Sequence, residues 1–168
     1  DGEAERSTIL PFVRNAIGVT GLGGQLFLRE THLKVLRVLE QAEALTQRYH
    51  VVVANPPYMG AGGMNVSLKR FARTYYATSL ADLFSMFIDR SFSLSTPHGY
   101  SSMVTMQTWM FLASYQDLRA DILTKRSLLT LLQIGYNSFP ELNSKIAQAC
   151  AFVSCNSRND YKGRYFNL

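Results

Sequence analysis

Hydrophobic positions follow a helical period in two stretches of the chain, with a strand-like run between them. Residues 31–49 repeat apolar side chains on one face, which predicts an amphipathic helix; they are Leu33, Leu36, Leu39 and Ala42. Residues 50–54 are apolar on both faces, which predicts a strand buried in a parallel sheet. Residues 79–95 carry the clearest helical stripe, and Ser79 and Asp82 have the spacing of a capping box at its start.

The same alternation continues toward the end of the chain. We predict a strand at 100–106, a helix from Ser114 and Asp117 to about residue 125, a strand at 128–134, a loop at 135–145 and a last strand at 146–153. Strands that alternate with helices indicate an α/β fold with a mostly parallel sheet and right-handed crossovers. Because no helix precedes the last strand, we expect that strand to pair antiparallel at or near an edge.

Composition limits the class of protein. The 168 residues are 47% hydrophobic and 12% aromatic, which suffices for one globular core and excludes disordered, collagen-like and disulfide-scaffold chains. No apolar run has the length of a membrane span, so we expect no membrane partner. Cys150 and Cys155 lack the spacing of a metal site, which predicts reduced core thiols in a cytoplasmic protein without a metal site.

Charge and glycine content leave two features open. The net charge of +5 suits a nucleic-acid partner but is also common in proteins without one. Lys69, Arg70 and Arg73 form either the solvated face of a helix or a contact with phosphates. Residues 18–24 are rich in glycine and are predicted to form a linker, because no strand signal precedes them as a phosphate-binding loop requires.

The tetrapeptide Asn55-Pro56-Pro57-Tyr58 follows the buried-looking strand directly. Ligands of open α/β sheets bind outside the carboxyl ends of the strands. The Asn55 side-chain oxygen and the Pro56 carbonyl are two acceptors that suit an amino group, the prolines stiffen the backbone, and Tyr58 offers a flat face to a ring. A simple turn that ends the strand is the alternative interpretation.

An aromatic amine such as adenine N6 is a poor nucleophile, because its lone pair is delocalised into the ring. Two acceptors would favour a pyramidal nitrogen and offset the positive charge that develops during attack. The methyl group of a sulfonium such as S-adenosylmethionine is an activated electrophile. The amine can therefore attack it without help from a strong base. A base in duplex DNA must be flipped out to reach such a site, where stacking on an aromatic ring helps to hold it.

Residues 52–58 resemble the catalytic motif of S-adenosylmethionine-dependent amino-methyltransferases, especially the DNA adenine-N6 group. Residues 81–88 and 99–105, and Phe139 before the last strand, also match this group. The Met59-Gly60 pair and residues 106–112 are similar to the large methyltransferases of BREX-type phage-defence systems. The resemblance covers roughly residues 45–155 and is most specific at the tetrapeptide.

The resemblance implies roles for single residues. It makes Asn55, Pro56, Pro57 and Tyr58 the catalytic tetrapeptide. Asn55 and Pro56 would accept hydrogen bonds from the target amine, and the Tyr58 ring would stack on the flipped base.

It also places Phe139 as a second aromatic against that base, although a core phenylalanine is an equal alternative. Asp82 and Phe84 lie where the family lines part of the cofactor pocket, and helix capping is an alternative role for Asp82.

One departure from the family pattern concerns the cofactor. The glycine-rich loop and the acidic residue that hold S-adenosylmethionine in this family have no counterpart in residues 1–54, and no target-recognition region follows. We therefore expect the C-terminal half of a Rossmann-like methyltransferase sheet, mostly parallel with a final antiparallel strand. The expected division is a linker and helix over 1–49, the half-domain over 50–155, and the start of a further segment over 156–168.

These features predict a fragment of a site-specific DNA methyltransferase that acts on adenine N6 in restriction-modification or phage defence. Its expected partners are double-stranded DNA, the missing N-terminal half of the catalytic domain and a target-recognition region. We expect the chain alone to bind S-adenosylmethionine weakly or not at all, and to self-associate through an open sheet edge. The alternatives are a non-catalytic binding module of this fold, or a methyltransferase that acts on RNA or a protein glutamine.

Overall fold

A computed structural model of the chain describes residues 25–135 and 148–168. The glycine-rich stretch 18–24 and Phe139 lie outside the described residues. The chain divides into two compact units, Asp1–Gln47 and Arg48–Leu168. In the first unit, helix α1 spans Gln25–Thr46 and carries an exposed ion pair between Lys34 and Glu30 at 2.7 Å. No helix in the described residues has the length and apolar character needed to cross a membrane.

The second unit alternates strands and helices in the predicted order. Its elements are β1 (Tyr49–Ala54), α2 (Val66–Tyr75), α3 (Leu83–Leu94), β2 (Ser95–Met106), two short 3₁₀ turns (Gln107–Met110 and Ala113–Tyr115), α4 (Gln116–Lys125), β3 (Ser127–Gly135), β4 (Ala149–Cys155) and β5 (Arg164–Asn167). Strand β5 was not predicted, because its four residues are all exposed and give no apolar alternation.

The five strands form one sheet in the order β1-β2-β4-β3-β5. β1 and β2 are parallel, β3 and β5 are parallel, and β4 is antiparallel to both β2 and β3. Four strands therefore run in one direction, which confirms the mostly parallel α/β fold with an antiparallel strand. The predicted edge position of that strand is wrong, since β4 fills the gap that the β2-α4-β3 crossover leaves.

Strand β1 lies at one end of the described sheet, with β2 as its neighbour. The expectation of burial on both faces is wrong for this strand: Val51 is 56% and Val53 is 74% exposed, while Val52 and Ala54 are partly buried. The apolar run reflects a strand whose outer face is uncovered in the described structure.

The core lies between α3, α4 and the sheet. Its buried side chains include Phe84, Ile88, Phe92, Met103, Trp109, Leu118, Ile122, Cys150 and Phe152. Trp109 packs edge-on against Phe152, and its indole N–H donates to the Thr105 hydroxyl at 3.2 Å. Cys150 and Cys155 are buried free thiols, as predicted.

A second feature of this core is a set of buried serine hydroxyls between α3 and β2. Ser101 Oγ donates to Ser91 Oγ at 2.8 Å, and Ser91 Oγ donates to the Ile88 carbonyl at 2.7 Å. The Asn156 amide donates to the Phe92 carbonyl at 2.9 Å, where α3 ends. Small hydroxylated side chains with satisfied hydrogen bonds let the helix approach the sheet closely.

The two predicted helix caps differ from the observed ones. Asp82, and not Ser79, is the N-cap of α3, and it forms a capping box with Ser85. The Ser79 hydroxyl instead donates to Asp89 Oδ2 at 3.0 Å. Ser114 lies in a 3₁₀ turn, and α4 begins after Tyr115 without a side-chain cap.

The half-buried carboxyl of Asp89 makes the stability pH-dependent. Burial, with the hydrogen bond from Ser79 opposing it and nearby Asp121 adding to it, raises the pKa of Asp89. The folded state therefore binds the proton more tightly than the unfolded state, and the free energy of unfolding falls as pH rises through this pKa. We expect Asp89→Asn to be at least as stable as the wild type at neutral pH, and to lose that advantage in acid. Urea unfolding over a pH series measures this, with the exposed Asp160→Asn as control; a pH-independent difference would contradict it.

The exposed face of β1 predicts self-association of the chain. Apolar edge strands pair with other chains, and a charge on such a strand opposes pairing. We expect the wild type to scatter light as a dimer or larger species, and Val53→Lys to shift it toward the monomer. Val66→Lys, on α2 at a position that is 84% exposed, is the matched control and should not shift it. A monomeric wild type would contradict the prediction.

Candidate active site

The tetrapeptide lies at the carboxyl end of β1. Asn55 and Pro57 are exposed, Pro56 is buried and Tyr58 is partly buried. β1 and β2 are parallel in register from Val51 opposite Tyr100 to Ala54 opposite Met103. The carboxyl ends of both strands therefore meet at one edge of the sheet, which is where α/β folds bind ligands.

The hydroxyl of Tyr58 joins the two ends of the tetrapeptide. It donates to Asn55 Oδ1 at 3.4 Å and approaches the Val104 carbonyl on β2 at 3.5 Å. Burial, with a smaller effect of Cys150, raises the pKa of Tyr58 above its usual range near 10. The phenol therefore stays protonated, and it keeps its hydrogen to donate.

A row of aromatic rings supports Tyr58 from the core. Its ring meets Phe84 edge-on at 6.1 Å between centroids, and Phe84 packs against Tyr115 at 5.7 Å. Tyr115 is buried and was missed by the sequence analysis. Its aromatic character beside the start of a predicted helix was the available signal. The row fixes the plane of the ring that Tyr58 offers at the sheet edge.

The carboxylate of Asp82 holds the loop after the tetrapeptide. Asp82 Oδ1 accepts from the Met59 backbone N–H at 3.0 Å and from the Phe84 backbone N–H at 3.1 Å. The Leu83 N–H donates to the Met59 carbonyl at 2.9 Å, so two backbone atoms of Met59 are tied to the start of α3. Helix capping, the alternative considered for Asp82, is therefore observed.

The structure brings some of the predicted site residues together. The tetrapeptide, Asp82 and Phe84 are joined by the contacts above. Lys69, Arg70 and Arg73 lie on α2, which confirms that the basic segment is helical; Arg70 and Arg73 are exposed. Trp109 belongs to the core.

Asp82 and Phe84 fit the implied cofactor only in small part. Phe84 is 1% exposed and packs on its aromatic neighbours, so its ring offers no face to a ligand in this conformation. Asp82 uses Oδ1 for two backbone N–H groups, while Oδ2 lies 3.6 Å from the position that a Cβ on Gly60 would take. Of these two residues, Asp82 thus supplies one carboxylate oxygen with which a cofactor could bond.

Comparisons with known proteins identify the family of the chain. The family described as Eco57I restriction-modification methylase matches residues 25–139. The adenine-specific methyltransferase BrxX of Escherichia coli O9:H4 (strain HS) is 39% identical over 146 residues, which are 86% of this chain and 12% of the relative. The adenine-specific methyltransferase PglX of Lacticaseibacillus casei (strain Zhang) is 34% identical over 116 residues, 69% of this chain and 10% of the relative. The chain thus spans about a tenth of these relatives.

Solved structures share the fold. The type ISP restriction-modification enzyme LlaGI, in complex with a DNA substrate mimic, aligns with a TM-score of 0.57 at 14% identity, over 82% of this chain and 16% of that one. A Listeria monocytogenes protein assigned to the class I S-adenosylmethionine-dependent methyltransferases aligns with a TM-score of 0.55 at 14% identity, over 73% of this chain and 37% of that one. These structures share the fold, and the family match to residues 25–139, which are more than half of the chain, shows that the chain belongs to the Eco57I restriction-modification methylase family.

Proposed function

We propose that this chain carries the target-amine site of a DNA methyltransferase that modifies adenine N6 in restriction-modification or phage defence. The observation that supports it best is the exposed Asn55 beside a core-supported Tyr58 at the carboxyl end of β1. The names of the two curated relatives, both adenine-specific methyltransferases, favour the same substrate.

Asn55 and Pro56 act on the amine in this proposal. Asn55 Oδ1 and the Pro56 carbonyl each accept one N–H of the target amine, which draws the nitrogen toward a pyramidal geometry. Both oxygens then stabilise the positive charge that develops on nitrogen in the transition state. Pro57 restricts the backbone between them and Tyr58, so the acceptors need little reorganisation during the reaction.

Tyr58 has two tasks in the proposal. Its ring stacks on the flipped base, and its hydroxyl holds Asn55 Oδ1 at 3.4 Å, which keeps the amide oxygen and not the amide N–H₂ directed into the tetrapeptide. Burial raises the pKa of the Tyr58 phenol, so the hydroxyl is protonated and able to donate at neutral pH. Phe139 stays a predicted second stacking partner.

S-adenosylmethionine supplies an electrophilic methyl group when it is bound. We propose that Asp82 contributes its second oxygen to the cofactor pocket. Phe84 affects the pocket indirectly, because its ring contacts Tyr58 and its backbone N–H donates to Asp82. This small contribution agrees with the expected weak cofactor binding by the chain alone. The remaining cofactor contacts then belong to the segments that the resemblance leads us to expect outside the described sheet.

Double-stranded DNA is the proposed substrate, and Lys69, Arg70 and Arg73 are proposed to contact its phosphates. A target-recognition region is proposed as a further partner that selects the sequence. The cytoplasm is the proposed location, because buried free thiols such as Cys150 and Cys155 suit a reducing compartment.

Removal of the Asn55 amide tests the proposed function. The protein expressed from its complete gene should transfer labelled methyl groups from S-adenosylmethionine to adenine N6 in DNA. Asn55→Ala should lower kcat by about a hundredfold or more, because one preorganised acceptor is lost in the transition state. Mass spectrometry of digested DNA identifies the methylated base.

The matched control for this measurement is Asn167→Ala, which removes an exposed asparagine amide from β5 and should leave kcat unchanged. Methyl transfer to RNA or to protein glutamine instead of DNA would contradict the proposal. An Asn55→Ala variant with wild-type activity would do the same.

Asp82 offers a second test, because its two oxygens have different tasks. Asp82→Asn keeps one acceptor oxygen for the Met59 and Phe84 N–H groups, so we expect near-normal stability and kcat but a higher KM for S-adenosylmethionine. Asp82→Ala should lower the unfolding free energy by about 0.5–2 kcal/mol, the typical cost of a lost N-cap, and should lower kcat as well. Steady-state kinetics and urea unfolding separate the two. An unchanged KM in Asp82→Asn would confine Asp82 to the capping role.

A further inference from the structure

Helix α2 begins a few residues after the tetrapeptide and is firmly anchored. Asn65 caps it by accepting from the Leu68 backbone N–H at 2.8 Å. Leu68 and Ala72 face inward, against a small core that contains Met64 and Met86. The other faces of the helix are therefore held in a fixed orientation toward solvent.

The solvent side of α2 carries two kinds of side chain at helical spacing. Lys69 and Arg73, four residues apart, follow one flank of the buried stripe, and Arg70 lies on the outer crest. Phe71 and Tyr75, also four residues apart, follow the opposite flank. The helix thus presents cations on one flank and aromatic rings on the other, with Arg70 between them on the solvent side.

The rings of this flank are exposed although they are large. Phe71 is 48% and Tyr75 is 69% exposed, and their centroids are 5.0 Å apart. Phe71 also contacts Tyr76 at 5.7 Å. Ring-to-ring packing orders these side chains before any ligand arrives, which lowers the entropic cost of binding.

The segment of chain that contains the helix carries charges of one sign. The sequence from Ala44 to Ala81 contains no Asp or Glu, whereas it contains Arg48, Lys69, Arg70 and Arg73. Among the described residues, the ion pairs found are Lys34 with Glu30 and Lys125 with Asp121, so the cations of α2 are not neutralised by these pairs. A polyanion with flat, apolar faces complements this surface.

We propose that α2 binds an unstacked stretch of a DNA strand, with its cations on the phosphates and Phe71 and Tyr75 on the base faces. Bases in an intact duplex cover their faces with neighbouring bases, so exposed rings gain little from them. A duplex from which one base has been flipped offers uncovered faces beside the gap. The inference rests on the proposed function, since base flipping is what would expose such faces next to the tetrapeptide.

Fluorescence anisotropy with labelled nucleic acid tests this without cofactor. The probes are a single-stranded oligonucleotide, the corresponding intact duplex, and heparin, which is a polyanion without bases. Phe71→Ala with Tyr75→Ala should weaken single-strand binding about tenfold or more, the range found for loss of base stacking, while heparin binding stays the same. Arg70→Gln with Arg73→Gln should weaken binding to all three probes and lower the salt slope for the single strand by about 0.7 per cation.

Controls separate stacking from a loss of fold. Tyr165→Ala removes a tyrosine on β5 that is 59% exposed and should bind every probe as the wild type does. If circular dichroism shows that the double aromatic variant is unfolded, Tyr75→Ala alone decides, with Tyr75→Phe expected to retain single-strand affinity.

The proposal is overturned if the aromatic variants bind the single strand as the wild type does, or if they lose heparin affinity to the same extent. The second outcome would indicate that the rings do not act on base faces. These assays need neither methyl transfer nor Asn55. The α2 proposal can therefore fail while adenine methylation is confirmed, and adenine methylation can fail while the α2 proposal is confirmed.

Discussion

One carboxylate oxygen determines how the tetrapeptide 55–58 is joined to the rest of the fold. Asp82 Oδ1 accepts from the N–H of Met59 and from the N–H of Phe84, so the loop after the tetrapeptide and the first turn of α3 share an anchor. The Phe84 ring in turn contacts the Tyr58 ring edge-on. Loop position, helix start and the plane of the stacking ring are therefore coupled, because each depends on the same oxygen. A helix cap usually bonds residues that are close in sequence. Here the capping residue Asp82 also bonds Met59, which is distant from it along the chain.

Much of the order of elements could be predicted, because periodicity reports which side chains are buried along each segment. The helical stripe of α3 and the β-branched run before Asn55 gave strong local signals. Periodicity does not report which strands are neighbours, so the central position of β4 was missed. For the same reason the apolar run of β1 was interpreted as burial on both faces, although Val53 is largely exposed.

The candidate site shows the same contrast between local sequence signals and tertiary contacts. The position of the tetrapeptide at a strand end was predictable, because a β-branched run stops at two prolines. The placement of Phe84 beneath Tyr58, and the row that continues to Tyr115, depend on tertiary packing of residues far apart in sequence. Asp82 had two predicted roles, and only the backbone geometry around it could reveal the cap. Residue type thus predicts the chemistry of a contact better than it predicts the partner.

Buried serines explain how α3 lies close to the sheet. Seven serines with little or no exposure occupy this unit: Ser79, Ser85, Ser91, Ser95, Ser101, Ser127 and Ser154. Ser91 and Ser101 bond directly to each other across the helix–sheet contact. Larger apolar side chains would bury more surface but would push the helix outward. Hydrogen-bonded hydroxyls keep the spacing between helix and sheet fixed, and this spacing helps to position Phe84 against Tyr58.

The placement of β4 has a consequence for how the protein folds. The β2-α4-β3 segment cannot form a continuous sheet by itself, because its two strands are one strand-width apart until β4 enters between them. During synthesis the sheet is therefore incomplete until residues 149–155 have left the ribosome. The gap exposes hydrogen-bonding groups on both β2 and β3, so the nascent chain passes through a stage in which a chaperone or a foreign strand could occupy that place.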